Sequence, residues 1–297
     1  MVEAAACIHD ITRTTEADFA AEEHGWPILS AKRHDAPSVF QPEALLREAR
    51  RQKGLPTNPV PEVCLLDPDG DLVRNLKRTG VGRVHGGWAC YHTELVAFDL
   101  AGDREIGVVG CAVGASFAVL VAEQLFASGC RLLISITSAG QIAENGPTPY
   151  FILIDKALRD EGTSYHYLPP STFSEGPDEA LLGHMHDTLS RDAGVTVLRG
   201  PTWTTDAPYR ETEAAIAYAR LQGALAVEME AAALYAFAKA KGQAVVCVAY
   251  VTNTMAQSDG NDFEKGEADG SLVASRVAGL IAAAWSSYLR SSQPSQP

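Results

Sequence analysis

The chain has 297 residues, 46% hydrophobic and 21% charged, an ordinary composition for a globular protein of one large domain or two modest ones. Its net charge of −13, with acids spread along the chain rather than massed in a tail, repels phosphate backbones and argues against a nucleic-acid partner. The opening MVEAAACIHDITRTTEADF lacks the basic start and apolar core of a signal peptide. No run reaches the ~18 uninterrupted apolar residues of a membrane span. A cytoplasmic protein with no membrane partner is expected.

Residues 1–41 are polar and weakly patterned, with Pro27 and Pro37, and are expected to form an extension of loops packed on the main domain. PEALLREARRQK (42–53) suits a helix, with Pro42 in its first turn and Gly54 at its end. PTNPVP then breaks the pattern. EVCLLD, REIGVVGCAV, CRLLISIT, YFILID, VTVLRG, ALAVEM and AVVCVAYVT read as buried strands. ASFAVLVAEQLFASG, DEALLGHMHDTLSRDAG, EAAALYAFAKAKG and SLVASRVAGLIAAAWSSYL read as the helices between and after them. Unbroken Val/Ile/Leu strands separated by helices imply an α/β sandwich with a parallel or mixed sheet covered on both faces. With no internal repeat and no clean linker, residues 42–290 read as one domain, and SSQPSQP (291–297) as a disordered tail.

Several motifs fail on inspection. Cys7, Cys64, Cys90, Cys111, Cys130 and Cys247 form no CxxC pair and read as buried free thiols. DPDGD (67–71) opens like a calcium loop, but its bidentate acid would fall at Arg78. His184 and His186 point to different faces of a helix. Gly110–Gly114 lacks the third glycine of a dinucleotide fingerprint, and no GxSxG elbow occurs. Neither a metal nor an organic cofactor is implied.

The strongest signal is Val227-Glu228-Met229-Glu230-Ala-Ala-Ala, closing a strand and opening a helix. Alone, it reads as acids favouring a helix dipole. In context it resembles the ribose-binding Glu-Met-Glu signature of the nucleoside phosphorylase and nucleosidase superfamily. Gly110-Cys-Ala-Val-Gly114-Ala-Ser116 is similar to that family's glycine turn beside the acceptor site, and CRLLISITSAGQI to its Gly/Thr/Ser-Ala-Gly turn. EGTSYHYLPP, GPTWTTDAPYRET and VAYVTNT follow in the family's order, so the likeness spans about residues 38–290. It implies a three-layer α/β sandwich, cleavage of a nucleoside's N-glycosidic bond, and a homo-oligomer.

The resemblance also implies roles. Breaking a ribosyl C–N bond builds positive charge on the sugar, which a carboxylate gripping the 2′- and 3′-hydroxyls stabilises. Glu230 takes that place, Met229 packs against the ribose and Glu228 supports it. Trp203 stands at the base-stacking position, though a core tryptophan explains it equally well. Asp206, Tyr209 and Arg210 lie on the base-reading segment, and His34, Gln41, His85 or His92 at positions suited to a 5′-hydroxyl. Asn253 replaces the acid of purine-cleaving members. An amide donates a hydrogen bond but no proton, so a pyrimidine nucleoside is weakly favoured. Phosphorolytic members carry arginines where this chain has Gly70, Gly86 and Ser135, although Arg74 or Arg83 lies near. Ser138 and Gly140 keep the turn. Hydrolytic members place a water-activating carboxylate where Asp67, Asp69 and Asp71 crowd, so water is narrowly favoured over phosphate as acceptor. The rival from another class is a nucleoside-binding protein with dead chemistry.

Overall fold

A computed structural model describes residues 26–100, 104–255, 263 and 265–292. In chain order the elements are α1 (Pro42–Lys53), β1 (Val63–Asp67), α2 (Asp71–Thr79), β2 (Arg83–Val84), β3 (Val96–Leu100), β4 (Arg104–Gly110) and α3 (Ala115–Ala127). Then come β5 (Leu132–Gln141), β6 (Tyr150–Asp160), β7 (Phe173–Glu175), α4 (Glu179–Asp192), β8 (Val197–Thr205) and α5 (Glu213–Leu221). The chain closes with β9 (Ala226–Glu228), α6 (Ala231–Lys241), β10 (Val245–Asn253) and α7 (Ser271–Ser292).

The strands are apolar throughout because both faces of the sheet are covered. Side chains alternate between faces along a strand, and here they alternate between two cores. Cys64, Leu66, Ile152, Ile154, Cys247 and Ala249 pack with helices α3 and α6. Their neighbours Val63, Leu65, Phe151, Leu153, Val246 and Val248 pack with α2, α4 and α7. This is the three-layer α/β sandwich with a mixed sheet that the sequence implies. Helix α7 has the length and apolar content of a membrane span. Yet Val277, Ala278, Ile281, Ala282 and Trp285 lie at helical spacing against the sheet, as in a core helix.

Strand order is β10-β6-β8-β9-β5-β1-β4-β3-β2, and β10 also pairs with β5. Strands β5, β10, β6, β8 and β9 therefore close into a ring, from which β1, β4, β3 and β2 extend. Pairings β1–β4, β1–β5, β5–β10, β6–β8 and β8–β9 are parallel, whereas β6–β10, β5–β9, β3–β4, β2–β3 and β6–β7 are antiparallel.

Among the boundaries that differ from the sequence reading, three have clear local reasons. Strand β6 continues to Asp160 across a register shift between Ile154 and Ala157, where Asp155 and Lys156 interrupt the apolar run. Strand β4 stops at Gly110 because Cys111 takes a left-handed φ of 61° and turns the chain; its thiol is exposed, unlike those of Cys64, Cys90, Cys130 and Cys247. Ser291 and Ser292, expected in the tail, still belong to α7; the rest of the tail, residues 1–25 and Cys7 lie outside the described residues. Within 26–41, His34 Nε2 sits 3.1 Å from the Tyr165 carbonyl.

Candidate active site

Strand β5 changes partners part-way along one edge. Its other edge pairs with β10 from Leu133 to Gly140. On this edge β1 pairs with Leu132–Ser135, and β9 takes over only at Gly140 and Gln141. Between them the edge opens at Thr137 and Ser138, just beyond the carboxyl end of β1. Open α/β sheets bind ligands in such crevices.

Three donors converge on one oxygen in this opening. The Ser138 amide donates to Asp69 Oδ2 at 3.1 Å, the Ser138 hydroxyl donates to the same atom, and Lys265 Nζ reaches it at 3.1 Å. Lys265 also bonds Asp71 Oδ2 at 2.5 Å, and Asp71 pairs with Arg74. Burial opposes the charge on Lys265, but Asp71 and Asp69 outweigh it and hold the ammonium above the ordinary lysine value. The hydroxyl of Tyr250 fixes the connector carrying Lys265 by donating to the Lys265 carbonyl at 2.6 Å.

Asp67, the acid favoured from the sequence, is buried beside them. Its Oδ2 accepts from the Val73 amide at 3.0 Å, capping α2. Burial, aided by the charges of Asp69 and Asp71, raises it to about 6. Asp67, Asp69, Thr137, Ser138, Lys265 and Ser271 line one small cavity. The carboxylate facing Ser138 is thus Asp69. Sequence reasoning grouped Asp69 with its neighbours and missed Lys265, a lone lysine in an acidic connector.

Beyond the opening, β9 delivers the Glu-Met-Glu run to the start of α6. Glu228 is fully engaged: Oε1 accepts from the Thr202 and Thr204 hydroxyls, and Oε2 accepts from the Glu230 and Ala231 amides at 2.7 Å each. It caps α6 and retains no acceptor direction for a ligand, so it positions the run instead of touching substrate. Met229 is half-buried. Glu230 Oε1 accepts from the Gly114 amide at 2.7 Å, where Gly114 holds a φ of 91°. Its Oε2 is buried and has no hydrogen-bond partner among the described residues. Burial and then the charge of Glu228 lift Glu230 to about 8, against the pull of the Gly114 amide and the Thr137 hydroxyl. Burial raises Glu228 as well, against the threonine hydroxyls and backbone amides that favour its charge.

Gly140 lies under Met255 and Asn253. A Cβ there would stand 2.2 Å from Met255 Sδ and 3.3 Å from Asn253 Oδ1, so a side chain would have to displace Met255. Asn253 is buried; its Oδ1 accepts from the Met255 amide at 3.0 Å, and among the described residues its Nδ2 makes a long 3.4 Å contact with Thr252. Trp203 points the other way. Thr202 and Thr204 turn towards Glu228, so Trp203 between them faces the opposite side, packs with Leu158 and Val227, and donates Nε1 to Asp160 at 3.0 Å. Asp206 and Arg210 are exposed; Asp206 accepts from the Gly162 amide at 2.8 Å. The structure therefore gathers Asp67, Ser138, Gly140, Glu228, Glu230 and Asn253 at the ends of β1, β5, β9 and β10. It leaves Trp203 in the core and Asp206 and Arg210 at the surface. His184 and His186 take separate partners, Ser287 and the Val197 carbonyl. Among the described residues no set of three or more His, Cys, Asp or Glu side chains is arranged for a metal.

Comparison with known proteins agrees with this architecture. The family model of the phosphorylase superfamily matches residues 63–286. Among solved structures, uridine phosphorylase from Vibrio fischeri ES114 superimposes with a TM-score of 0.62 at 19% identity, covering 78% of this chain and 94% of that one. The same enzyme complexed with 6-hydroxy-1-naphthoic acid gives 0.62 at 18% identity, covering 78% and 93%. No curated protein sequence matches. With a match spanning both the acid-rich turn after β1 and the Glu-Met-Glu run, the chain belongs to the phosphorylase superfamily and is an enzyme of the nucleoside phosphorylase and nucleosidase type.

Proposed function

We propose that the protein cleaves the N-glycosidic bond of a nucleoside, with water as acceptor and a pyrimidine nucleoside as favoured substrate. The observation that carries the reading is Glu230, with one oxygen held by Gly114 and the other buried without a partner among the described residues. An unpaired buried carboxylate oxygen is costly, and a sugar hydroxyl supplies the missing donor. Once ionised, Glu230 places negative charge beside the sugar as the C1′–N bond breaks and its electron pair leaves with the base. Asn253 Nδ2 donates a hydrogen bond to a carbonyl of the departing pyrimidine anion. The water oxygen bonds to C1′, Asp67 takes its proton, and that proton returns through solvent to the base. Ribose and free base are the products.

Water is favoured because the opening beside Ser138 is crowded by carboxylates, which repel a dianion, while Asp67, raised by burial to about 6, is basic enough to take a proton from water and is ionised near neutrality. One observation favours phosphate instead: the Arg74 guanidinium lies against Gly70, its Nη1 2.9 Å from where a Cβ would be. Asp71, however, already holds Arg74. A nucleoside panel assayed with and without phosphate decides between them. Base release in phosphate-free buffer supports hydrolysis; release that needs phosphate and yields a sugar 1-phosphate supports phosphorolysis. Binding without turnover would identify a dead binding protein.

A further inference from the structure

The donors around Asp69 have the form of an oxyanion site. An amide, a hydroxyl and an ammonium point at one atom, the combination that elsewhere binds phosphate or sulfate. The site is also extended: Ser271, at the start of the 22-residue helix α7, lines the same cavity with a buried hydroxyl that has no partner among the described residues. Yet the atom at the focus of the three donors belongs to the chain itself.

We propose that Asp69 is an internal anion that plugs the acceptor subsite formed by Ser138 and Lys265, excludes inorganic phosphate, and so sets acceptor specificity. This rests on the hydrolytic reading above and names the residue responsible for it. The steric and electrostatic arguments agree. Asp69 Oδ2 takes the Ser138 amide and hydroxyl, the two donors a phosphate oxygen would need, and its charge repels a dianion. Lys265 cannot recruit phosphate while both Asp69 and Asp71 neutralise it. Gly70, at φ 77°, lets the turn after β1 fold back so that Asp69 reaches Ser138. Lys265 is a positioning residue: it holds the plug in place from a different part of the chain.

The test is phosphate binding by the full chain, which needs no nucleoside. Thermal denaturation and titration calorimetry with inorganic phosphate, and with sulfate as an unreactive probe, are compared against chloride of equal ionic strength. The wild type is expected to show no saturable response. Asp69→Ala, and the isosteric Asp69→Asn should the alanine variant fail to fold, are expected to bind phosphate at least ~10-fold more tightly, the gain from removing one like charge and one competitor. Adding Lys265→Ala to either variant should abolish the gain. Saturable millimolar binding by the wild type, or folded variants that gain nothing, would overturn the proposal. Failure of the hydrolytic reading would appear separately, as wild-type cleavage that requires phosphate.

Discussion

Glu228 Oε2 accepts the backbone amide of Glu230 at 2.7 Å, so one carboxylate builds the helix cap on which the other stands. On the proposed mechanism the pair divides structure from chemistry, and substitution should separate the two. Glu230→Ala is expected to cut turnover at least ~100-fold while the fold survives, the scale for losing a transition-state contact. Glu228→Ala strands four buried donors at about 1–3 kcal/mol each before relaxation, and should lower the thermal midpoint by several degrees. Turnover and melting measured on both variants check the division. A folded Glu230→Ala enzyme of normal activity would remove the role assigned to that residue.

Stability should depend on pH through Glu230. Its carboxyl titrates at about 8 in the fold and at the ordinary 4.5 in the unfolded chain. Between these values the folded state holds the extra proton, so its stability falls as pH rises through that window and levels off above it. Glu230→Gln removes this dependence. Urea unfolding at about pH 5.5 and about pH 8 should show the variant gaining on the wild type at the higher pH. A constant difference between the two proteins would contradict the assignment.

Asp67 should govern the rate profile. As a base it must be ionised, and burial places its titration at about 6. Phosphate-free cleavage is therefore expected to rise with pH in two steps, one near that value as Asp67 ionises and one near about 8 as Glu230 does. Asp67→Asn should remove the lower step and slow the reaction ~100-fold or more. An unchanged profile in the variant would assign the proton transfer elsewhere.

Asn253 should set the preference for the base. The wild type is expected to cleave uridine faster than inosine, and Asn253→Asp to shift the ratio towards inosine by restoring a group able to protonate a purine. Steady-state kcat/KM for both substrates measures the shift. A wild type that prefers inosine, with no gain in the variant, would sink the argument.

What the sequence disclosed follows from how each feature is encoded. Strands buried on both faces leave unbroken apolar runs, so β1, β5 and β10 are plain in the sequence, and the Glu-Met-Glu run stands out because its residues are contiguous. Other features depend on direction or distance. Asp67, Asp69 and Asp71 share a turn, and only the fold shows Asp67 capping α2 while Asp69 faces Ser138. Lys265 meets Asp69 across 196 positions, a contact no local pattern records. Trp203 sits in an alternating strand whose inward face is decided by Thr202 and Thr204 bonding Glu228. Strand β6 outran its apolar pattern because the ladder resumes beyond the interruption at Asp155 and Lys156.

The exchange of neighbours along β5 has a consequence for how this chemistry can vary. Main-chain pairing with β1, β9 and β10 sets the width of the opening, whatever side chains occupy it. Its occupants come from three unconnected stretches: Asp69 from a turn, Ser138 from the strand itself, Lys265 from the connector before α7. Each can be exchanged without disturbing the ladder that frames the others. The sheet thus works as a socket of fixed gauge, and a change of acceptor requires new contents in the socket but no new fold.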